Sequence, residues 1–147
     1  MDFREIAPAD VGPLFAVRTA TRENALDLRE LEGLGITPES VMGLLAASHR
    51  GWLCEEEGRV VGFCMGDRRT GEMWVIALLP RFEGRGLGSR LLKLVEDWLF
   101  SEGWDEIWLT TDTDPSLRAY GFYKAMGWRD EGVRDGLRYM RKTRMAD

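Results

Sequence analysis

Six consecutive residues, Glu83-Gly84-Arg85-Gly86-Leu87-Gly88, constrain this chain more than any other stretch. An apolar run over 73–80 precedes them and an amphipathic run over 89–100 follows, so the order predicted is strand, glycine turn, helix. Without a Cβ at alternate positions, the backbone can aim successive N–H groups into one concavity. The start of the helix adds roughly half a positive charge behind them. Such a turn suits a phosphate, and a pyrophosphate best of all. A glycine cluster on its own is equally a surface loop; the strand and helix flanks are what favour an anion cradle. Arg81, Arg85, Arg90 and Lys93 surround it against the single carboxylate of Glu83, a pattern that fits an anion contact as well as a solvated helix face.

Upstream, residues 3–6 read as an edge strand, and Val11, Leu14, Phe15 and Val17 have helical spacing within 8–22. Thr37-Pro38-Glu39 reads as a helix start, with Thr37 as N-cap and Pro38 at the first helical position. From Gly51 the period changes to two, giving strands over 52–55, 60–66 and 73–79 joined by turns at Glu57-Gly58 and Thr70-Gly71. Downstream, Leu91, Leu92, Val95, Trp98 and Leu99 form the apolar stripe of the helix after the turn. Residues 105–111 read as a strand parallel to 73–79, since a helical crossover separates them. A short helix over 115–125 and a hairpin turning at Asp135-Gly136 complete the chain.

A length of 147 residues suits one domain, taken here as 1–147, with a core of its own. The formal net charge of −5 argues against a nucleic-acid partner. No apolar segment approaches a membrane span and the first residues lack the regions of a signal peptide, so a cytoplasmic protein with no membrane partner is expected. Cys54 and Cys64 lack any metal-ligand spacing, and the sole histidine, His49, is expected at a surface or cap position.

Two separated motifs resemble those of the GNAT superfamily of acetyl-CoA-dependent N-acetyltransferases. Glu83 to Gly88 is similar to its Gln/Arg-x-x-Gly-x-Gly/Ala signature, with Leu91-Leu92 following as usual. Ser116-Leu117-Arg118-Ala119-Tyr120-Gly121-Phe122-Tyr123-Lys124-Ala125-Met126-Gly127-Trp128 resembles its Asn-x-x-Ala-x-x-Phe-Tyr-x-x-x-Gly-Phe segment. This sequence departs from the pattern at Glu83, which puts a carboxylate beside a pyrophosphate unless Arg81 or Arg85 offsets it, and at Ser116, where Asn is frequent.

The resemblance implies an α/β (α+β) fold: a central mixed, mostly antiparallel sheet of six to seven strands, about four flanking helices, and a parallel pair that splays apart. It implies acetyl-CoA as cofactor, held by Glu83, Gly84, Arg85, Gly86, Leu87, Gly88 and Ser89 at the pyrophosphate. Backbone groups around Ile76, Leu78 and Leu79 would hold the pantetheine arm, with the Leu78 N–H facing the thioester oxygen. Ser116 and Tyr120 join the cofactor contacts, and Tyr123 is the general acid, since a phenol with an ordinary pKa of about 10 keeps its proton at neutral pH. Glu72 and Asp112, and equally Glu23 from the first helical region, are candidates to take the acceptor's proton. Trp74 and Trp108 flank the expected gap and could contact a cationic amine. The acceptor is then a small-molecule or peptide amine, and a homodimer accords with the resemblance. The alternatives are an acyl-CoA-binding sensor without activity on the same fold, and a dinucleotide-binding fold, which the glycine spacing and the preceding meander disfavour.

Overall fold

The computed structural model describes residues 1–23 and 26–145. One seven-stranded sheet runs in the order β1-β2-β3-β4-β5-β7-β6. The strands are β1 (Asp2–Glu5), β2 (His49–Glu56), β3 (Arg59–Asp67), β4 (Glu72–Leu78), β5 (Glu106–Thr111), β6 (Arg129–Arg134) and β7 (Leu137–Thr143). All neighbours are antiparallel except β4 and β5. The five α-helices are α1 (Val11–Arg18), α2 (Leu28–Gly33), α3 (Pro38–Ala47), α4 (Leu87–Ser101) and α5 (Arg118–Ala125). The mixed sheet and its parallel pair agree with expectation; the fifth helix is additional.

That extra helix is α2, inside a stretch with no clear periodicity. Its start is encoded locally: the Asp27 carboxylate accepts from the Glu30 N–H at 2.8 Å while the Glu30 carboxylate accepts from the Asp27 N–H, a reciprocal cap that satisfies two otherwise orphaned donors. Thr37 and Ser40 do the same for α3. The first helix is shorter than its spacing suggested, because Pro8–Asp10 forms a 3₁₀ turn before it. Likewise α5 begins at Arg118, since Asp114 draws both the N–H and the hydroxyl of Ser116 into a turn.

Helices cover both faces of the sheet. On one, Leu91, Leu92, Val95 and Leu99 of α4 are completely buried, and a Cβ on Gly66 of β3 would collide with Val95 at 2.8 Å. Side chains alternate across a strand, so the neighbouring Met65 and, two residues earlier, Phe63 face the other side, where α1 and α3 pack.

Between β3 and β4 the register shifts: Met65 opposes Val75, but Gly66 opposes Met73. Trp74 is therefore an extra residue, a β-bulge, and bulges bend the strand that carries them. Below the bulge, Glu72 pairs in parallel with Trp108 of β5. Above it, β4 follows β3, and among the described residues no further rung joins it to β5.

Candidate active site

The gap that opens between β4 and β5 is a cleft of about 370 Å³. Its β4 wall presents free backbone, and one hydrogen bond shows why. The Leu79 N–H donates to the Val61 carbonyl at 2.9 Å, so Val61 and Leu79 form a bonded antiparallel pair. Bonded and non-bonded pairs alternate along such a ladder. Leu78, opposite Gly62, and Ile76, opposite Cys64, therefore turn their N–H and C=O groups away from β3 and into the cleft. Thr110 and Thr111 of β5 form the facing wall, and Ala119, Phe122 and Tyr123 of α5 close one side.

The glycine turn forms the cleft's end. Gly84 and Gly86 have φ of 74° and 79°, left-handed values that are costly for other residues. Gly86 is also the N-cap of α4. A Cβ on either would meet nothing within 4 Å, so the space over the turn is open to an incoming group. Gly88 differs: its Cβ would lie 3.3 Å from Leu78 and 3.5 Å from Phe122, so its absence lets α4 sit close to β4. The first N–H to find a helical acceptor is that of Arg90, on Gly86 O at 3.2 Å. The preceding donors of α4 point out of the helix end. A cradle of this kind fits a diphosphate.

Charge around the cradle is arranged differently from the sequence expectation. Arg81 and Arg85 stack on Phe82, and Arg90 lies 4.0 Å over the Phe3 ring. Glu83 is instead paired with Arg118 of α5 and, at 3.8 Å, with Arg22 beyond α1. The Glu23 carboxylate accepts from the Arg118 N–H at 2.9 Å. Four charged groups thus bridge three segments at the cleft mouth.

Residues 18–128 match the pattern of the Acetyltransferase (GNAT) family. The chain belongs to the GNAT acetyltransferase family. Acetyl-CoA is the acyl donor of GNAT enzymes. Among solved structures, the PaiA N-acetyltransferase of Thermoplasma acidophilum in complex with coenzyme A has the same fold, with a TM-score of 0.83 at 16% identity, covering 98% of this chain and 100% of that one. Among curated proteins, the mycothiol acetyltransferase of Streptomyces griseus is 31% identical over 86 residues, 56% of this chain and 28% of the relative. An uncharacterized N-acetyltransferase of Methanocaldococcus jannaschii is 33% identical over 81 residues, 54% of this chain and 52% of the relative. The chain therefore spans about half or less of these curated relatives.

Within this GNAT domain, Ile76, Leu78, Glu83, Gly84, Gly86, Gly88, Ser89 and Tyr123 all line the cleft. Tyr123 is 5% exposed. Burial, and secondarily the Cys64 thiol, raise its phenol pKa well above the usual value, so it stays protonated. Its ring packs on Phe122 and on Trp128 at centroid separations of 5.5 and 6.2 Å. Trp128 is held in turn: its indole N–H donates to Glu96 at 2.9 Å, and Glu96 also receives Lys142 at 2.7 Å. A buried carboxylate satisfied on both oxygens thus fixes the end of α5 against α4 and β7.

The other expected site residues lie elsewhere, each for a local reason. Leu79 is buried and spends its N–H on Val61. Arg85 is drawn onto Phe82, and Leu87 packs against the core. Ser116 donates to Asp114, and Asp112 accepts from the Asp114 N–H at 2.9 Å, so both serve the loop before α5. Tyr120 donates to Asp130 at 3.0 Å beneath Arg138, on the β6–β7 side. Glu72, below the bulge, is absent from the described cleft lining. Burial and the nearby Asp67 push its carboxyl pKa up to about 7. Trp74 does line the cleft, whereas Trp108 donates its indole N–H to the Thr70 carbonyl. His49 begins β2 with its ring edge-on to Trp74.

Arg18, Arg22, Arg118 and Phe122 line the cleft without having been singled out as site residues. The four-residue spacing of Arg18 and Arg22 was the available signal for the first two. Cys54 and Cys64 are buried free thiols. Among the described residues there is no metal-ligand cluster and no helix long and apolar enough to cross a membrane.

Proposed function

We propose that this protein is an N-acetyltransferase that moves an acetyl group from acetyl-CoA to a primary amine by direct transfer. The observation that carries this reading is the juxtaposition of unpaired β4 backbone at Ile76 and Leu78, the glycine cradle, and the buried Tyr123 phenol in one cleft. Acetyl-CoA supplies a thioester acetyl group there. Each task in the transfer then falls to a residue of suitable chemistry.

N–H groups of the turn at Gly84, Gly86 and Gly88 bind the diphosphate, with Ser89 at the helix head. Backbone groups of Ile76 and Leu78 orient the extended arm as a strand orients its neighbour. The Leu78 N–H donates to the oxygen on which charge develops; a preorganised donor of this kind typically contributes about 100- to 1,000-fold in rate. Tyr123 Oη gives its proton to the departing sulfur and is reprotonated, through solvent, by the proton that the attacking nitrogen loses. The two described carboxylates of the cleft, Glu23 and Glu83, are both engaged by Arg118. The acceptor therefore enters as its free amine rather than being stripped by a poised base.

The test is thiol release from acetyl-CoA by the purified full chain across a panel of amines, beside a CoA titration followed by heat. Saturable CoA binding with amine-dependent thiol release is the expected result. Binding with no release by any amine would instead support a sensor on the same fold.

A further inference from the structure

On the α1–α3 face of the sheet lies a second cavity, of about 150 Å³. Leu14 and Phe15 of α1, Leu31 of α2, Val41 of α3, and Phe63 and Met65 of β3 wall it, and all six are buried. Three residues, Arg18, Trp74 and Val75, belong to the walls of this cavity and of the cleft. The two volumes therefore adjoin at the β4 bulge, where Trp74 and Val75 line both.

Resting on the acetyltransferase reading, we infer that this cavity receives an apolar side chain carried on the acceptor next to its reacting amine. The acceptor is thus an α-amine, an apolar amino acid or the N-terminal residue of a peptide, with a side chain between leucine and phenylalanine in size.

Size is the first reason. A mostly aliphatic and aromatic pocket of about 150 Å³ has room for a benzene-sized group. Distance is the second: because Arg18, Trp74 and Val75 line both the cleft and the cavity, a ligand that occupies the two carries its apolar group only a few bonds from its amine. An α-amine meets that condition. A lysine side chain or a polyamine, threading amine-first, would leave the cavity empty.

Charge is the third. Arg18 is the charged residue among the described cavity walls and stands at the junction. A guanidinium carries hydrogen-bond donors and no acceptor, so it suits a carbonyl or carboxylate beside the reacting amine rather than a second ammonium. Proton balance is the fourth. With both described cleft carboxylates engaged, the acceptor must supply its own neutral form. The α-amino group of a peptide end or an amino-acid amide, with a pKa near 8, is about one-tenth neutral at pH 7, whereas a lysine amine, near 10.4, is neutral about once in 2,500, so this reason favours the peptide end over the free amino acid.

The experiment compares kcat/KM for glycinamide, leucinamide, phenylalaninamide, Nα-acetyl-lysinamide and spermidine with the full chain and acetyl-CoA. Leucinamide and phenylalaninamide are expected to exceed glycinamide by about 10- to 200-fold, with the last two amines below leucinamide. Free leucine and a leucine-initiated tripeptide, run alongside, distinguish an amino acid from a peptide end; preference for either supports the shared chemistry. Val41→Phe fills the cavity and should collapse the leucinamide-to-glycinamide ratio, a CoA-induced thermal shift reporting that the protein is folded. Leu14→Ala enlarges it and should move the preference from leucinamide toward phenylalaninamide. Equal rates for glycinamide and leucinamide, or preference for the lysine amine or spermidine, overturn the inference while leaving acetyl transfer intact. CoA binding with no amine consumed overturns the inference together with the acetyltransferase reading on which it rests.

Discussion

Glu83, at the head of the glycine turn, is ion-paired with Arg118 at the start of α5. The pair spans the mouth of the cleft where a diphosphate would arrive, so carboxylate and phosphate compete for the same guanidinium. Glu83→Gln should therefore tighten CoA binding. Exposed pairs contribute about 0.2–1 kcal/mol, which sets the expected gain at roughly 1.4- to five-fold. Calorimetric titrations at several salt concentrations should also show a steeper salt dependence, because Arg118 and Arg22 become available to phosphate. Weaker binding by the variant would mean that Glu83 helps to hold the cofactor.

Gly86→Val tests the cradle. Gly86 sits at φ 79° as the N-cap of α4, and forcing a branched residue into that region costs about 1–2 kcal/mol. The variant should show a lower urea midpoint and no saturable heat with CoA. Normal CoA affinity would place the diphosphate elsewhere.

Much of the fold around this cleft was legible in the sequence, and the exceptions have local causes. The strand–turn–helix unit was legible because its glycines and flanking periodicities all pointed to one geometry. The parallel pair was legible because a crossover helix permits little else. Ser116, Tyr120, Asp112 and Glu72 share motif or strand positions with the cleft, yet their side chains follow short-range partners such as Asp114 and Asp130. Sequence spacing carries no record of that competition. The β4 bulge left no trace in the alternation either, since Trp74 and Val75 are both at home in a strand.

Tyr123→Phe should lower kcat by at least about 100-fold, the lower range for a positioned proton donor, while leaving CoA affinity nearly unchanged. Steady-state rates from pH 6 to 9 with one amine would check this. An unaltered kcat across that range would remove Tyr123 from the chemistry.

Glu72 predicts a component of stability that depends on pH. Its folded pKa is raised from 4.5 to about 7, by burial first and Asp67 second. The folded state therefore holds the proton more tightly than the unfolded one, and stability is lost as pH rises through that window. Glu72→Gln, which mimics the protonated form, should gain on the parent protein between pH 4.5 and 7 when urea midpoints are compared. A constant difference across the window would show that the carboxyl is not perturbed.

Because β4 stays paired with β3 on both sides of the bulge and meets β5 only below it, the sheet divides along a seam held by the parallel rung Glu72 to Trp108. Two indole clasps reinforce that seam, Trp104 onto the Arg68 carbonyl at 2.7 Å and Trp108 onto the Thr70 carbonyl at 2.9 Å. The aperture offered to a ligand is then an angle set from its far end by two tryptophans that stand outside the described cleft lining.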